Sequence, residues 1–303
     1  MSALPARYER NVRLFGEEGQ RMLRATKAVV IGVSGLGSPL AQHLALLGVG
    51  QAALVDYEEL DHTNRNRFAG ARFDDPVPGS PKVILAARHI QEINPDVAVV
   101  PLDTDLVSPE AFAAIRAADW VFGCLDDDGP RFILNELCSA YGKPFIDLAS
   151  GAPEDGAYGG RVCVATDGQG CLYCLGQLDD KDVRNYLATD EQRIREAAIY
   201  GVPIEALGQT GPSVSPINGV VASLAATEFM VAVTGMRSPT RLQEYRAHIS
   251  KVVVITDPPR HDCYYCKGIR GTGALADVER YLGMPHLRKR RHRDAPDAQD
   301  ALR

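Results

Sequence analysis

The first half of the chain switches repeatedly between two hydrophobic periods. "KAVVIG" (27–32), "QAALVDY" (51–57), "VAVVPLD" (97–103), "ADWVFGCLD" (118–126) and "KPFIDLAS" (143–150) are short apolar runs of strand length. Between them, "SPLAQHLALLGVG" (38–50), "SPKVILAARHIQEINP" (80–95) and "RFILNELCSAYG" (131–142) place apolar residues at helical spacing. Repeated β-α-β units predict a mostly parallel, Rossmann-like α/β sheet with helices on both faces. Ligands of such sheets sit at the carboxyl ends of the strands. After Ser150 the pattern changes. "GGRVCVATDGQGCLYC" (159–174) and "RLQEYRAHISKVVVITDPP" (241–259) read as extended, partly antiparallel strands. A polar, charged stretch, 179–195, and a long helix, "PINGVVASLAATEFMVAVTG" (216–235), lie between them. No compositional break marks a linker, so one domain over 1–283 is expected, followed by a basic, disordered tail over 284–303.

Composition narrows the class. Of 303 residues, 45% are hydrophobic and 24% charged, ordinary for a globular chain. No run approaches the ~20 apolar residues of a membrane span. The start, "MSALPARYERNVRLFG", lacks a signal-peptide core, so a cytoplasmic location is expected. A net charge of −6 gives the body no general reason to bind nucleic acid. The run "HLRKRRHR" (286–293) reads as a solvated, mobile end, with phosphate or a membrane surface as its alternative partners.

The candidate chemistry begins at "VVIGVSGLGS" (29–38), where Gly32, Ser34 and Gly37 occupy the G-x-G-x-x-G positions and Gly35 is extra. Such a turn lets backbone N–H groups and a helix N-terminus approach phosphate. Alone it is equally a tight turn without a ligand. Asp56 ends the second strand 19 residues after Gly37, where an acid can accept from ribose hydroxyls. That favours an adenosine-containing ligand without separating NAD from ATP. Asn64, Arg67 and Lys82 follow, amides and cations suited to an enzyme that expels pyrophosphate. Asp126, at another strand end, is a natural holder for Mg²⁺.

Cys171, Cys174, Cys263 and Cys266 form two CxxC pairs, the ligand set of tetrahedral zinc. An 88-residue gap separates the pairs, so the metal would clip distant segments together in a structural role. Redox chemistry and disulfides are the competing readings, both less compatible with the context. Cys124, Cys138 and Cys163 sit in apolar runs and read as core positions, so no accessible nucleophilic thiol is evident.

Taken in order, "RYERNVRLFG", "GVSGLGS", Asp56, Asn64-x-x-Arg67, "SPKV…INP", "CLDDDGPR", both CxxC pairs and "SPINGVVASLAATE" resemble the ubiquitin-activating-type adenylyltransferases (the MoeB, ThiF and HesA type). The resemblance spans about residues 7–268. It implies that Gly32, Ser34, Gly35 and Gly37 line ATP, that Asp56 holds the ribose, and that Asn64, Arg67 and Lys82 surround the phosphates. It implies Mg²⁺ on Asp126 and structural Zn²⁺ on the four cysteines. Arg10 matches an arginine that homodimers of the family insert into the neighbouring site, from an arm over 1–25. The implied partner is a small ubiquitin-like or sulfur-carrier protein ending in glycine, whose carboxylate is adenylated beneath a crossover loop over 179–208. Departures stand beside these matches: Ser34 replaces the usual glycine, Phe68 a common glutamine and Asp127 a common asparagine. The cysteine that carries a thioester in many relatives falls at about Gly208. Its absence keeps open a precursor-peptide C-terminus as acceptor. An inactive scaffold subunit and an NAD-dependent oxidoreductase are the remaining, weaker readings.

Overall fold

The computed structural model describes residues 4–151, 156–189 and 213–288. Eight strands form one sheet in the order β3-β2-β1-β4-β5-β6-β7-β8. The first five, β1 (Lys27–Ile31), β2 (Gln51–Asp56), β3 (Ala98–Asp103), β4 (Trp120–Gly123) and β5 (Phe145–Gly151), are parallel. β6 (Gly159–Ala165), β7 (Leu242–Arg246) and β8 (Lys251–Val254) continue it as an antiparallel meander. The strand order reverses between β1 and β4, which opens a crevice at their carboxyl ends. The first CxxC segment differs from the extended reading: "GQGCLYC" is a series of turns, and β6 ends at Ala165.

Helices cover both faces. α1 (Glu9–Ala25), α2 (Gly37–Leu47), α3 (Lys82–Ile93) and a 20-residue helix, Ser215–Thr234, share one core with Val30, Leu54, Phe122 and Ile146. α4 (Pro109–Ala117) and α5 (Asp128–Ala140) pack on the other face, with Ile31, Val55, Val121 and Phe145. The alternation of inward side chains along each strand explains why both faces need covering. Within the stretch read as polar and charged, Asp180–Leu187 is a helix, α6, capped by Asp179. Ser215–Thr234 is therefore α7. By length and composition it is the one helix among the described residues apolar enough to cross a membrane, against the sequence expectation. Its apolarity has a local use, since Val221, Ala222, Ala225 and Phe229 are fully buried in the core.

The chain's end departs from the boundary expected at 283. Leu287 is buried, and Tyr186 donates to its carbonyl at 3.1 Å, so packed structure continues through this residue. Glu136, buried on α5, holds Arg280 at 2.8 Å and accepts from Tyr281, which fastens this terminal segment to the body. Residues 289–303 and 190–208 lie outside the described residues, so most of the expected tail and crossover loop are not placed.

Candidate functional site

The β1–α2 turn is shaped by close approaches that side chains would block. Gly32 has φ +85°, and a Cβ there would lie 2.6 Å from the Cys124 carbonyl of neighbouring β4. A Cβ on Gly37 would lie 1.9 Å from the Gly32 carbonyl. Gly35 packs against Arg67 and Asn218; a Cβ would come within 2.5 Å of Asn218 Nδ2. Ser34 takes part through its backbone, its carbonyl accepting from Ser38 Oγ at 2.7 Å. The amide ends of α2, α5 and α7 begin around this crevice, adding partial positive charge.

Asp56 accepts from Val33 N–H at 2.7 Å and Glu58 N–H at 2.8 Å, so the carboxylate also fixes the glycine turn. Burial raises its pKa to about 6, opposed by Lys82 and the two backbone donors. Because the folded value exceeds the ordinary 3.8, the folded chain binds more protons between those values. Ionised Asp56 therefore lowers stability by about 3 kcal/mol above pH ~6, a penalty relieved as pH falls toward ~4. Asp56→Asn should flatten this part of the stability–pH profile in urea unfolding. A profile unchanged by the substitution would place the titration elsewhere.

Asn64 is buried in a short turn (His62–Asn64) where Asp61 N–H donates to its Oδ1 at 3.3 Å. Arg67 donates to Thr63 O at 2.7 Å, and its stem lies along Gly35. Lys82 is almost wholly buried and its ammonium pairs with half-exposed Glu58. The sequence reading missed Glu58, which partly neutralises the lysine. Asp126 is exposed, and its carboxylate makes no hydrogen bond or ion pair with the described residues. It lies close enough to Tyr57 and Arg131 for its charge to raise both their pKa values. A free carboxylate at a strand end is a hard oxygen donor of the kind Mg²⁺ takes.

Arg10 is not brought to this site by its own chain. Two residues earlier, Tyr8 is buried against Gly48, at the far end of α2, and Asn94 Nδ2 donates to its hydroxyl at 2.8 Å. Arg7 donates to Ile93 O at 3.2 Å at the far end of α3. The 11 residues of α2 put about 16 Å between the Gly48 end, where Tyr8 packs, and the glycine turn, so the segment carrying Arg10 starts at the opposite end of α2. The arm itself is a helix that Gly16 interrupts (φ 77°), packed on α7.

Sequence reading also passed over Asn218 and Arg131 as functional residues. Asn218 accepts from Ser150 Oγ at 2.7 Å and donates to Ser213 Oγ at 2.9 Å, joining β5 and α7 to the glycine turn. Arg131 donates to the Leu125 carbonyl beside Asp126. Both stand inside motifs quoted above, but only packing shows which members of a motif reach the crevice. A separate cavity of about 440 Å³ between α3 and β3, lined by Ile84, Arg88 and Val99, contains none of these residues.

The four CxxC sulfurs converge on the α5 face, all within 4.8 Å of one another. Cys171–Cys263 and Cys174–Cys266 are each 3.7 Å apart, sulfur to sulfur. Four thiolates at ~2.3 Å around a tetrahedral ion would be separated by about 3.8 Å, whereas a disulfide needs ~2.05 Å. The cluster can hold a metal ion. The other cysteines, Cys124, Cys138 and Cys163, are buried, and burial pushes all three thiols up, Cys163 to about 12.

Residues 8–265 match the model of the ThiF family. The chain is 30% identical to Protein HesA of Leptolyngbya boryana over 235 residues, 77% of this chain and 74% of that protein. It is 29% identical to the molybdopterin-synthase adenylyltransferase of Escherichia coli K12 over 237 residues, 77% and 84% of the two chains. The crystal structure of E. coli MccB with ATP superposes with a TM-score of 0.67 at 19% identity, covering 87% of this chain and 75% of that one. That last likeness is one of fold.

Proposed function

The chain belongs to the ThiF family, and from that membership we propose that it is an ATP-dependent adenylyltransferase acting on the C-terminal glycine carboxylate of a small ubiquitin-like or sulfur-carrier protein. A terminal carboxylate oxygen attacks the α-phosphorus of ATP, the bond to the β-phosphate oxygen breaks, and acyl-adenylate and pyrophosphate form. The observation that carries this reading is the convergence, at the β1/β4 crevice, of the glycine turn, Asp56, Asn64, Arg67, Lys82 and Asp126. The glycine turn, including Ser34, receives the phosphates, and Asp56 accepts from the ribose. Asn64 keeps its amide donor free of described partners, and Arg67 and Lys82 supply positive charge along the phosphate chain. Asp126 holds Mg²⁺, which would neutralise charge on the departing pyrophosphate. Arg10 serves the site of a second copy, since the segment carrying it starts at the end of α2 opposite its own glycine turn, which makes the working unit a homodimer. Zn²⁺ in the four-cysteine cluster is structural, its shell closed by protein ligands.

All seven cysteines are buried, four of them in the cluster. This supports adenylate formation without an enzyme thioester, so that the adenylate passes directly to its acceptor. It equally suits the second reading, a precursor peptide activated at its C-terminus. ATP–pyrophosphate exchange with Mg²⁺ tests both. Exchange that requires a carrier's last residue establishes the carrier reading; exchange with a peptide and no carrier establishes the second. ATP binding without exchange on any such acceptor would leave the scaffold subunit as the surviving reading.

A further inference from the structure

A closed polar circuit runs beneath the crevice, and the proposed chemistry gives it no role. Asp128 accepts from Arg131 at 3.0 Å on Oδ1 and from the Asp179 backbone N–H at 2.8 Å on Oδ2. Arg131 lies 3.6 Å from fully buried Asp147, which accepts from Arg161 at 2.7 Å. Arg161 in turn donates to the Gln177 carbonyl at 2.9 Å, two residues before Asp179. Two arginines and two aspartates balance in charge, as burial demands. The circuit grips the chain on both sides of Leu178, at the root of α6. It also grips the Asp126 turn, because Arg131 donates to the Leu125 carbonyl.

α6 is held at further points. A Cβ on Gly129 would lie 2.1 Å from the Tyr186 ring, so only glycine lets α6 seat on the start of α5. Tyr186 and Leu187 at its other end contact the chain's last described turn, through Leu287 and His286 at 3.1 Å.

We propose that Asp128 is a positioning residue that ties the root of α6 to the Asp126 turn, so that order at that root and placement of the Asp126 carboxylate are linked. This rests on the adenylation reading for its purpose, but the mechanical link stands on the circuit alone. Asp128 itself need touch neither ATP nor the acceptor.

Amide hydrogen exchange of the full chain reads the link without turnover. Asp128→Ala should speed exchange about tenfold in the peptide over 179–187 and in the peptide over 124–131, with the β1–β2 region unchanged. Asp128→Asn, which keeps one acceptor oxygen, should recover part of the protection. Arg161→Gln is the stricter variant, because Arg161 lies on β6 and its side chain, among the described residues, hydrogen-bonds Asp147 and Gln177 only. It too should loosen 124–131. In exchange assays Asp128→Ala should raise the acceptor KM and the Mg²⁺ half-saturation several-fold while ATP affinity holds within about twofold. Unchanged protection of 179–187 in Asp128→Ala overturns the proposal. So does loosening by Arg161→Gln confined to 177–187, because the two segments then move independently. Wild-type protein that shows this coupling but no pyrophosphate exchange would sink the adenylation reading instead.

Discussion

Asp126→Ala is expected to lower ATP–pyrophosphate exchange by about a thousandfold while leaving the melting temperature within ~1 °C of wild type. The stability half follows from exposure: the carboxylate has no hydrogen bond or ion pair to lose among the described residues. The activity half follows from charge. Expelling pyrophosphate builds negative charge where the crevice offers Arg67 and a Lys82 already paired with Glu58. Removing the residue proposed to hold the divalent ion would leave that charge poorly met. Arg10→Ala should produce a loss of similar kind, at the low end about a thousandfold, with no change in ATP affinity measured on a site that keeps its own residues.

The pair makes a sharper test when mixed. If Arg10 acts in the neighbouring copy's site, random reassortment of the two inactive variants gives half mixed dimers, each with one intact site. Activity should then return to about a quarter of wild type. Mixing that restores nothing, with mixed dimers shown to form, would remove Arg10 from catalysis. Activity retained by Asp126→Ala alone would remove the metal role from that carboxylate. Neither result depends on knowing the natural acceptor beyond one that supports exchange.

The parallel half of the fold was legible because its signals are local. Each apolar run of strand length became a strand, and the three helical patterns between them became α2, α3 and α5. Legibility failed where structure is set by contact. α6 is only eight residues long, with an apolar face of Val183, Tyr186 and Leu187 set among charges, and its place is fixed by Asp128, Gly129 and Leu287, distant in sequence. The end of the body was misplaced for the same reason: one buried leucine inside a basic run outweighs the composition around it. In the site, Asp56 and Asp126 were readable as acids at strand ends. That Lys82 is matched by Glu58, or Asn218 by Ser150, was not, since a pairing across elements leaves no spacing to read. Arg10 shows the reverse case. Only the motif suggested a role, and the structure shows no more than its neighbour Tyr8 packed at the end of α2 away from the glycine turn.

Stripping the metal from the four-cysteine cluster should lower stability by about 4–5 kcal/mol, the scale of a cross-link closing a loop of roughly 90 residues. For a chain of this size that corresponds to a fall of about 7 °C in Tm. The loss should concentrate on one face. The cysteine loops pack on α5: Leu172 N–H donates to Asn135 Oδ1 at 3.0 Å, and Phe132 meets Tyr265 edge-on at 5.3 Å. The glycine turn and Asp56 belong to the opposite layer, with α2, and contact none of these groups. Chelated protein should therefore keep most of its ATP affinity while kcat for exchange falls, because α5 begins at the Asp126 turn. Metal analysis of the purified chain should find about one equivalent of zinc, and Cys263→Ser with Cys266→Ser should reproduce the chelated state. A chain that binds no metal yet keeps its Tm in the double variant would mean that packing alone joins the two cysteine segments. Equal losses of ATP affinity and kcat would mean that the cluster supports the whole sheet rather than the α5 layer.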